Sequence, residues 1–497
     1  MRSDKLVSTI GRGTSYLFAG VIATYFLGVL FKIFVARFVG PEGLGIVSLM
    51  MVIMGVFAIA FSLGLDSSAT KYLAGFLARK KRTDIIVSTS IILTSALALI
   101  GAAVLFVFSE YLAVVIFNSD ILILPFQLTS VALIFNNLQV LFKSLSVGYQ
   151  KMENVAITDG IEKTSKILIV ALLVFMGFGV MGPAYSIVFS FIVSTVTGLI
   201  LFARKVRLKL TGFDKKIAKM LIKFGAPLTV AGGMGVVLSL FDSFFVGVFI
   251  DVANVGFYST ASSLYIFLGS LVGALSTSLF PAFSGIKARG NNKILKGVVN
   301  RSIKYVFYLM LPASLGLFML AEPAIRILFG AEFYPAVLPL QILVFGSLFL
   351  ALSKICTSFI TGVGHPGTYT KYMVVSGVSN IVLNAMIIPV YGLMGAAFAT
   401  TISLFVLFIL CIVFVQKEVG VEIGYLHKPA ISAVLMLVII YFVRMYLLIG
   451  TWGRILAVIV LGAVSYFIFL EKLGGFDERD KKIIKIFVKK TMGVLRV

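Results

Sequence analysis

The stretch Ala36–Leu49 reads ARFVGPEGLGIVSL and separates two apolar runs, 15–39 and 44–64. Each run is about 20 residues long, the length an α-helix needs to cross a bilayer. The adjacent Gly40 and Pro41 mark the break between them. A near copy lies 211 residues further on: Phe38-Val39-Gly40-Pro41-Glu42-Gly43-Leu44-Gly45-Ile46-Val47-Ser48 aligns with Phe249-Ile250-Asp251-Val252-Ala253-Asn254-Val255-Gly256-Phe257-Tyr258-Ser259. Pro125-Phe126-Gln127-Leu128 matches Pro339-Leu340-Gln341-Ile342 at an offset of 214, and Gly179–Tyr185 matches Gly392–Phe398 at 213. Three matches at nearly one offset point to an internal duplication.

Beyond this stretch the same pattern fills the chain. Of 497 residues, 60% are hydrophobic and 13% charged, and the mean hydropathy is +1.09. A soluble domain carries about 25% charged residues, so a soluble globular protein, a disordered chain and a coiled coil are excluded. Twelve more apolar runs follow the first two, at 85–108, 121–142, 155–176, 182–203, 225–249, 257–283, 303–321, 336–361, 372–390, 395–415, 429–447 and 454–470. Backbone facing lipid must satisfy its own hydrogen bonds, so each run is expected to be a helix. The fold class expected is an all-α membrane protein of about 14 transmembrane helices. Six runs per repeat is an even number, so the two lobes share one orientation and their pseudo-two-fold lies along the membrane normal. The divisions expected are a first lobe (1–203), a basic linker (204–224), a second lobe (225–415), two additional helices (416–470) and a basic tail (471–497).

The net charge is +23. In a membrane protein such an excess marks the cytoplasmic face rather than a nucleic-acid partner. With the N-terminus inside, 37 of the 43 Lys and Arg fall in inner segments. That asymmetry puts both termini in the cytoplasm and the chain in the cytoplasmic (plasma) membrane. The segment 204–223 reads as a basic amphipathic helix on the inner leaflet, where anionic lipids are its expected partners. Arg79-Lys80-Lys81-Arg82 reads as a loop facing the same lipids. Two cysteines, Cys356 and Cys411, and two distant histidines, His365 and His427, offer no metal-ligand spacing. No signal-peptide cleavage pattern is read at the N-terminus, whose first apolar run is long enough to remain a helix.

These motifs resemble a known family. ARFVGPEGLGIVSL (36–49), VGFYSTASSL (255–264) and ILFGAEFYPAVLPLQIL (327–343) are similar, in that order, to signature segments of the polysaccharide-export flippases. That group shares a superfamily with the multidrug and toxin extrusion exporters and the lipid II flippases. The resemblance covers nearly the whole chain. It implies translocation of a polyprenyl-linked sugar phosphate, on an undecaprenyl or dolichyl carrier, from inner to outer leaflet by alternating access. Glycan assembly enzymes are further candidate partners.

Ionisable residues within spans are costly and are functional candidates. Lys32 (first span) is a candidate phosphate grip or a structural partner of Asp242 or another carboxylate. Asp66 and Lys143, at the inner mouths of the second and fourth spans, are candidates to meet the head group. Lys354 (tenth span) either lines the cavity or snorkels inward. Arg37, inside the family-like signature, is a candidate substrate contact or an interface anchor. Asp242 (seventh span) follows Gly232, Gly233 and Gly235, which serve either a bend or close helix packing. Asn380 and Asn384 share one helical face of the eleventh span, and Thr400 lies on the twelfth. One carboxylate with neutral oxygens suits Na⁺, or a proton on Asp242. The resemblance implies the same: lipid II flippases build a sodium site from these three spans. This sequence departs from that pattern at Asn384, where an aspartate can stand. No other cofactor is expected.

No phosphate-binding G-x-x-x-x-G-K-[ST] and no HExxH is present, so no enzyme and no direct use of ATP is expected. The leading reading is a lipid-linked sugar flippase with a cationic cavity. The alternative is a Na⁺- or H⁺-coupled multidrug or metabolite exporter, whose cavity would be apolar or acidic. A membrane scaffold or embedded glycosyltransferase would need paired carboxylates at the membrane edge, and the outer loops hold none in a paired motif.

Overall fold

The computed structural model describes residues 2–79, 83–205, 212–422, 424, 426–446, 452–478 and 480. Among them there is no strand. The helices are α1 (Arg2–Ser62), α2 (Leu65–Ala78), α3 (Asp84–Glu110), α4 (Ile123–Gly148), α5 (Met152–Phe175), α6 (Gly182–Lys205), α7 (Lys215–Phe249), α8 (Val252–Ala288), α9 (Asn292–Met319), α10 (Ala321–Leu328), α11 (Val337–Gly362), α12 (Pro366–Val419), α13 (His427–Tyr446) and α14 (Trp452–Lys472). All the apolar runs lie on these helices, to within a few residues at their ends. Eleven segments among the described residues are long and apolar enough to cross a membrane. The protein is an all-helical membrane protein. Its exposed side chains include Val107 (75%), Phe175 (74%) and Met445 (71%), which suits a surface bathed in lipid rather than water.

Two helices are longer than any bilayer requires, and a glycine breaks each of them. In α1, Gly40 has φ +87°, and Pro41 follows. In α12, Gly392 has φ +58°. Only glycine adopts these values without strain. A Cβ on Gly395 would come within 2.7 Å of the Ile387 carbonyl oxygen, eight residues earlier. A straight helix rises about 12 Å over eight residues, so the chain turns sharply here.

The matched motifs meet in space. A Cβ on Gly45 would lie 1.9 Å from the Val252 carbonyl oxygen, and one on Gly256 would lie 2.0 Å from that of Pro41. Residues 41 and 45 correspond to 252 and 256 at the offset of 211, so the two contacts are one contact made twice. Ser48 and Ser259, also 211 apart, place their hydroxyl oxygens 2.7 Å from each other. Reciprocal contacts flanking a self-matched pair are the local geometry of a two-fold axis. The largest apolar core surrounds this point, with Leu44, Leu49, Val246, Tyr258 and Leu340 all buried. α13 and α14 pack on α9 through Tyr308, Ala433, Met436, Ile440 and Tyr466.

Several expectations are corrected. The linker 204–223 forms no separate surface helix over its described part. Lys215 to Lys223 are the opening turns of α7, which Asp214 caps by accepting from the Lys216 and Ile217 amides at 2.7 and 3.1 Å. Residues 206–211, the loop residues 80–82 and most of the tail lie outside the described residues. Two short helices, α2 and α10, follow no apolar run of their own. Lys163 and Lys166, counted with the inner loops, lie inside α5, where Lys166 is buried. Their charges, with Asp159 and Glu162, keep α5 out of the eleven apolar segments.

Candidate functional site

α1, α5 and α8 line a half-open cavity of about 460 Å³. Two ammonium groups line it, Lys32 from α1 and Lys163 from α5, together with Asp159, Tyr25 and Ser263. Lys32 Nζ donates to Ser259 Oγ at 2.9 Å, to Ser263 Oγ at 2.8 Å and to the Ser259 carbonyl at 3.4 Å. All three acceptors are neutral. The sequence left open whether Lys32 pairs with Asp242, and here it bonds to α8 hydroxyls instead.

The α5 wall holds a charge network that the sequence reading missed. Glu162 is buried and accepts from Lys163 at 2.7 Å, Lys166 at 3.3 Å and Gln139 at 3.0 Å. Gln139 also donates to Ser194. Lys166 Nζ lies 5.0 Å from the centre of the Phe191 ring and 5.8 Å from that of Phe31. Asp159 accepts from Lys143 at 2.8 Å. The cavity wall and its backing thus set Lys32, Lys143, Lys163 and Lys166 against Asp159 and Glu162, an excess of positive charge. A Glu and a Lys four residues apart within an apolar run was the available signal.

A second constellation lies where α7, α8 and α12 meet. Asp242 is 2% exposed, and neutral donors surround its carboxylate. Oδ1 accepts from Asn380 at 3.0 Å and Asn384 at 2.7 Å. Oδ2 accepts from the Tyr258 hydroxyl at 2.8 Å and from Thr400. Asn384 also donates to Asn380 Oδ1 at 3.1 Å, while its own carbonyl oxygen is buried without a hydrogen-bond partner. The sequence named Asp242, Asn380, Asn384 and Thr400 as one set, and the fold brings all four together. It missed Tyr258, whose only signal was its place in VGFYSTASSL.

The other candidates stand apart from the cavity lining. Arg37 caps the end of α10, donating to the carbonyls of Leu328 (3.1 Å), Arg326 (3.4 Å) and Ile327. Lys354 donates to the Gly269 carbonyl at 3.0 Å. Asp66 opens α2 and accepts from Ser67 at 3.3 Å. Lys143 reaches the cavity only through Asp159.

Residues 10–287, more than half of the chain, match the family model described as polysaccharide biosynthesis protein. The chain belongs to that family. Its relatives include a protein of Shigella flexneri named "Putative O-antigen transporter", 26% identical over 74% of this chain and 88% of the relative. Among solved structures, this family member is similar to a lipid II flippase in an inward closed conformation. The TM-score is 0.78 at 20% identity, covering 91% of this chain and 97% of that one. It is also similar to an inward-facing multidrug transporter of the MATE family, with a TM-score of 0.66 at 18% identity over 80% and 94% of the two chains. At these identities the structural likeness establishes a shared fold. Other relatives are described as probable flippases or as uncharacterized membrane proteins, and the chain is a multi-pass membrane protein of the flippase and transporter kind.

Proposed function

We propose that this protein flips a polyprenyl-linked sugar phosphate or diphosphate from the cytoplasmic to the outer leaflet by alternating access of its two repeat units, for cell-surface glycan synthesis. One observation carries the reading: the cavity between α1, α5 and α8 has a cationic wall, and the Lys32 ammonium faces only neutral oxygens. An exporter of cationic drugs would gain nothing from two lysines there, whereas a phosphate gains a charge-assisted bond from each. The cargo is moved unchanged, with no bond made or broken in it. The lysine-rich end of the helices lies in the cytoplasm of a plasma-membrane protein, against anionic lipids. Glycan assembly enzymes are its proposed partners in supplying the cargo.

The Asp242 cluster is the proposed seat of coupling, to Na⁺ or to H⁺. A carboxylate, two hydroxyls and two amides, whose oxygens would turn toward a bound ion, form a hard-oxygen set suited to a monovalent cation. The buried, unpartnered Asn384 oxygen is consistent with that fit.

The test is reconstitution in proteoliposomes with two probes, a fluorescent polyprenyl-diphosphate sugar and a cationic dye, each with and without a Na⁺ or pH gradient. Movement of the lipid-linked sugar and not of the dye supports the reading. Extrusion of the dye alone establishes the exporter instead.

A further inference from the structure

Lys32 belongs both to the cavity and to the seam between α1 and α8. Its ammonium crosses from α1 to Ser259 and Ser263 of α8, which are 2% and 6% exposed. Ser259 Oγ also lies 2.7 Å from Ser48 Oγ, its own counterpart across the two-fold. Ser263 donates its hydroxyl hydrogen to the Ser259 carbonyl at 2.5 Å, which leaves its oxygen to accept from Lys32. In the two turns of α8 that precede Ser259, about 5–10 Å away by helical rise, the seam is closed by the reciprocal contacts of Gly45 with Val252 and of Gly256 with Pro41. The seam is therefore held by backbone at its end and by an ammonium–hydroxyl set further in, and that ammonium also lines the cavity.

We propose that Ser259 and Ser263 are positioning residues that hold Lys32 as a latch across the α1–α8 seam, and that a phosphate entering the cavity releases it. The identity of the anion rests on the flippase reading above. Hydrogen bonds between two charged groups are stronger than those from an ammonium to a neutral hydroxyl, so a phosphate oxygen outcompetes the serines for Lys32. Once the ammonium turns to the cargo, α8 loses its charged donor from α1, and the seam is left to neutral contacts, the glycine approaches and the Ser48–Ser259 pair among them. Capture of the cargo and weakening of the seam thus become one event at one side chain.

The experiment places spin labels at Phe26→Cys on α1 and Leu275→Cys on α8, two exposed positions on the side of Lys32 and Ser263 away from the glycine contacts, and measures their distance distribution in proteoliposomes with and without the fluorescent polyprenyl-diphosphate sugar. In the otherwise unaltered protein the expected result is a short distance that lengthens when the sugar is added. Ser259→Ala/Ser263→Ala should show the longer distance without any sugar, and its KM should fall several-fold because Lys32 is no longer held. Ser259→Thr/Ser263→Thr, which keeps both hydroxyls, should restore the short distance and so separates the latch from a folding defect. A serine-to-alanine pair with the short distance and an unchanged KM would overturn the latch, even if transport itself is normal. If no lipid-linked sugar is moved but the alanine pair still lengthens the distance, the latch stands and the flippase reading falls.

Discussion

At Asp242 the donors of Asn380, Asn384, Tyr258 and Thr400 converge on one carboxylate. Hydrogen bonds to a charged group contribute about 1.5–3 kcal/mol each, so the side chain is firmly placed, and its donors named here are all neutral. Asp242→Asn should keep the fold and lose the gradient dependence, so that transport rates with and without a Na⁺ or pH gradient become equal. Gradient dependence that survives the substitution would remove Asp242 from coupling. Glu162 presents the opposite case, a carboxylate that neutralises a buried lysine. Glu162→Gln leaves Lys166 buried without a counter-charge and should cost about 3–5 kcal/mol, visible as a lower melting temperature in detergent. Glu162→Gln/Lys166→Met should recover most of that loss, because replacing both members of a buried pair by groups of similar size is often close to neutral. The Asp242 set was legible in the sequence because each member is polar in an otherwise apolar run, and Asn380 and Asn384 share one helical face. The Glu162 network was not, since counting charges by side assigned Lys163 and Lys166 to a loop. Tyr258 was hidden because a tyrosine in an apolar run carries no electrostatic signal.

Among the elements, the breaks matter as much as the helices. Gly40 and Gly392 turn α1 and α12, and both were legible as Gly-containing gaps between apolar runs. The reciprocal approach of Gly45 and Gly256 was legible only as a repeated motif, because a repeat shows which residues correspond but not that they touch. Here a side chain has no space: a Cβ would stand 1.9–2.0 Å from a carbonyl oxygen on the other unit. Gly45→Ala and Gly256→Ala should each force the seam apart while leaving the helices intact. A thiol-reactive dye should therefore label Ser48→Cys, buried at the seam against Ser259, faster in either variant, with an unchanged size-exclusion profile. Labelling at the unaltered rate would mean that the seam is not held closed at these glycines. The short helices α2 and α10 escaped the sequence reading because neither has the length of a span. α10 is fixed instead by tertiary contacts, the Arg37 cap at one end and, at the other, the Glu322–Arg444 pair at 2.5 Å.

Over the whole molecule, the matched segments around Ser48 and Ser259 meet about a local two-fold, and α13 and α14 pack on α9. Beyond α14, Asp480 accepts from Lys304 at 2.5 Å and from the Tyr305 hydroxyl at 2.6 Å, and Tyr308 donates to the Gly475 carbonyl at 2.9 Å. Burial alone would push the Asp480 carboxyl up, but its bonds from Lys304 and Tyr305 outweigh burial and hold it below the usual carboxylate range. A depressed folded-state value means that this clasp stabilises the protein above the unfolded value of about 4 and is lost as pH falls through the folded one. The melting temperature should fall as the medium is acidified below about pH 4. Asp480→Asn should already melt lower at pH 7 and lose that part of the acid dependence. Composition and run length sufficed to read the all-helical membrane class, because bilayer thickness fixes helix length. Which helices border the cavity depended on packing that no single run encodes. The most direct test of the account is the initial rate of flipping of a fluorescent polyprenyl-diphosphate sugar in proteoliposomes by the unaltered protein, Lys32→Ala and Lys32→Arg. Loss of one charge-assisted bond to phosphate predicts a fall in kcat/KM of about 10- to 100-fold for Lys32→Ala, with partial retention for Lys32→Arg. Equal rates for the unaltered protein and Lys32→Ala would contradict the claim that this ammonium takes the phosphate of the cargo.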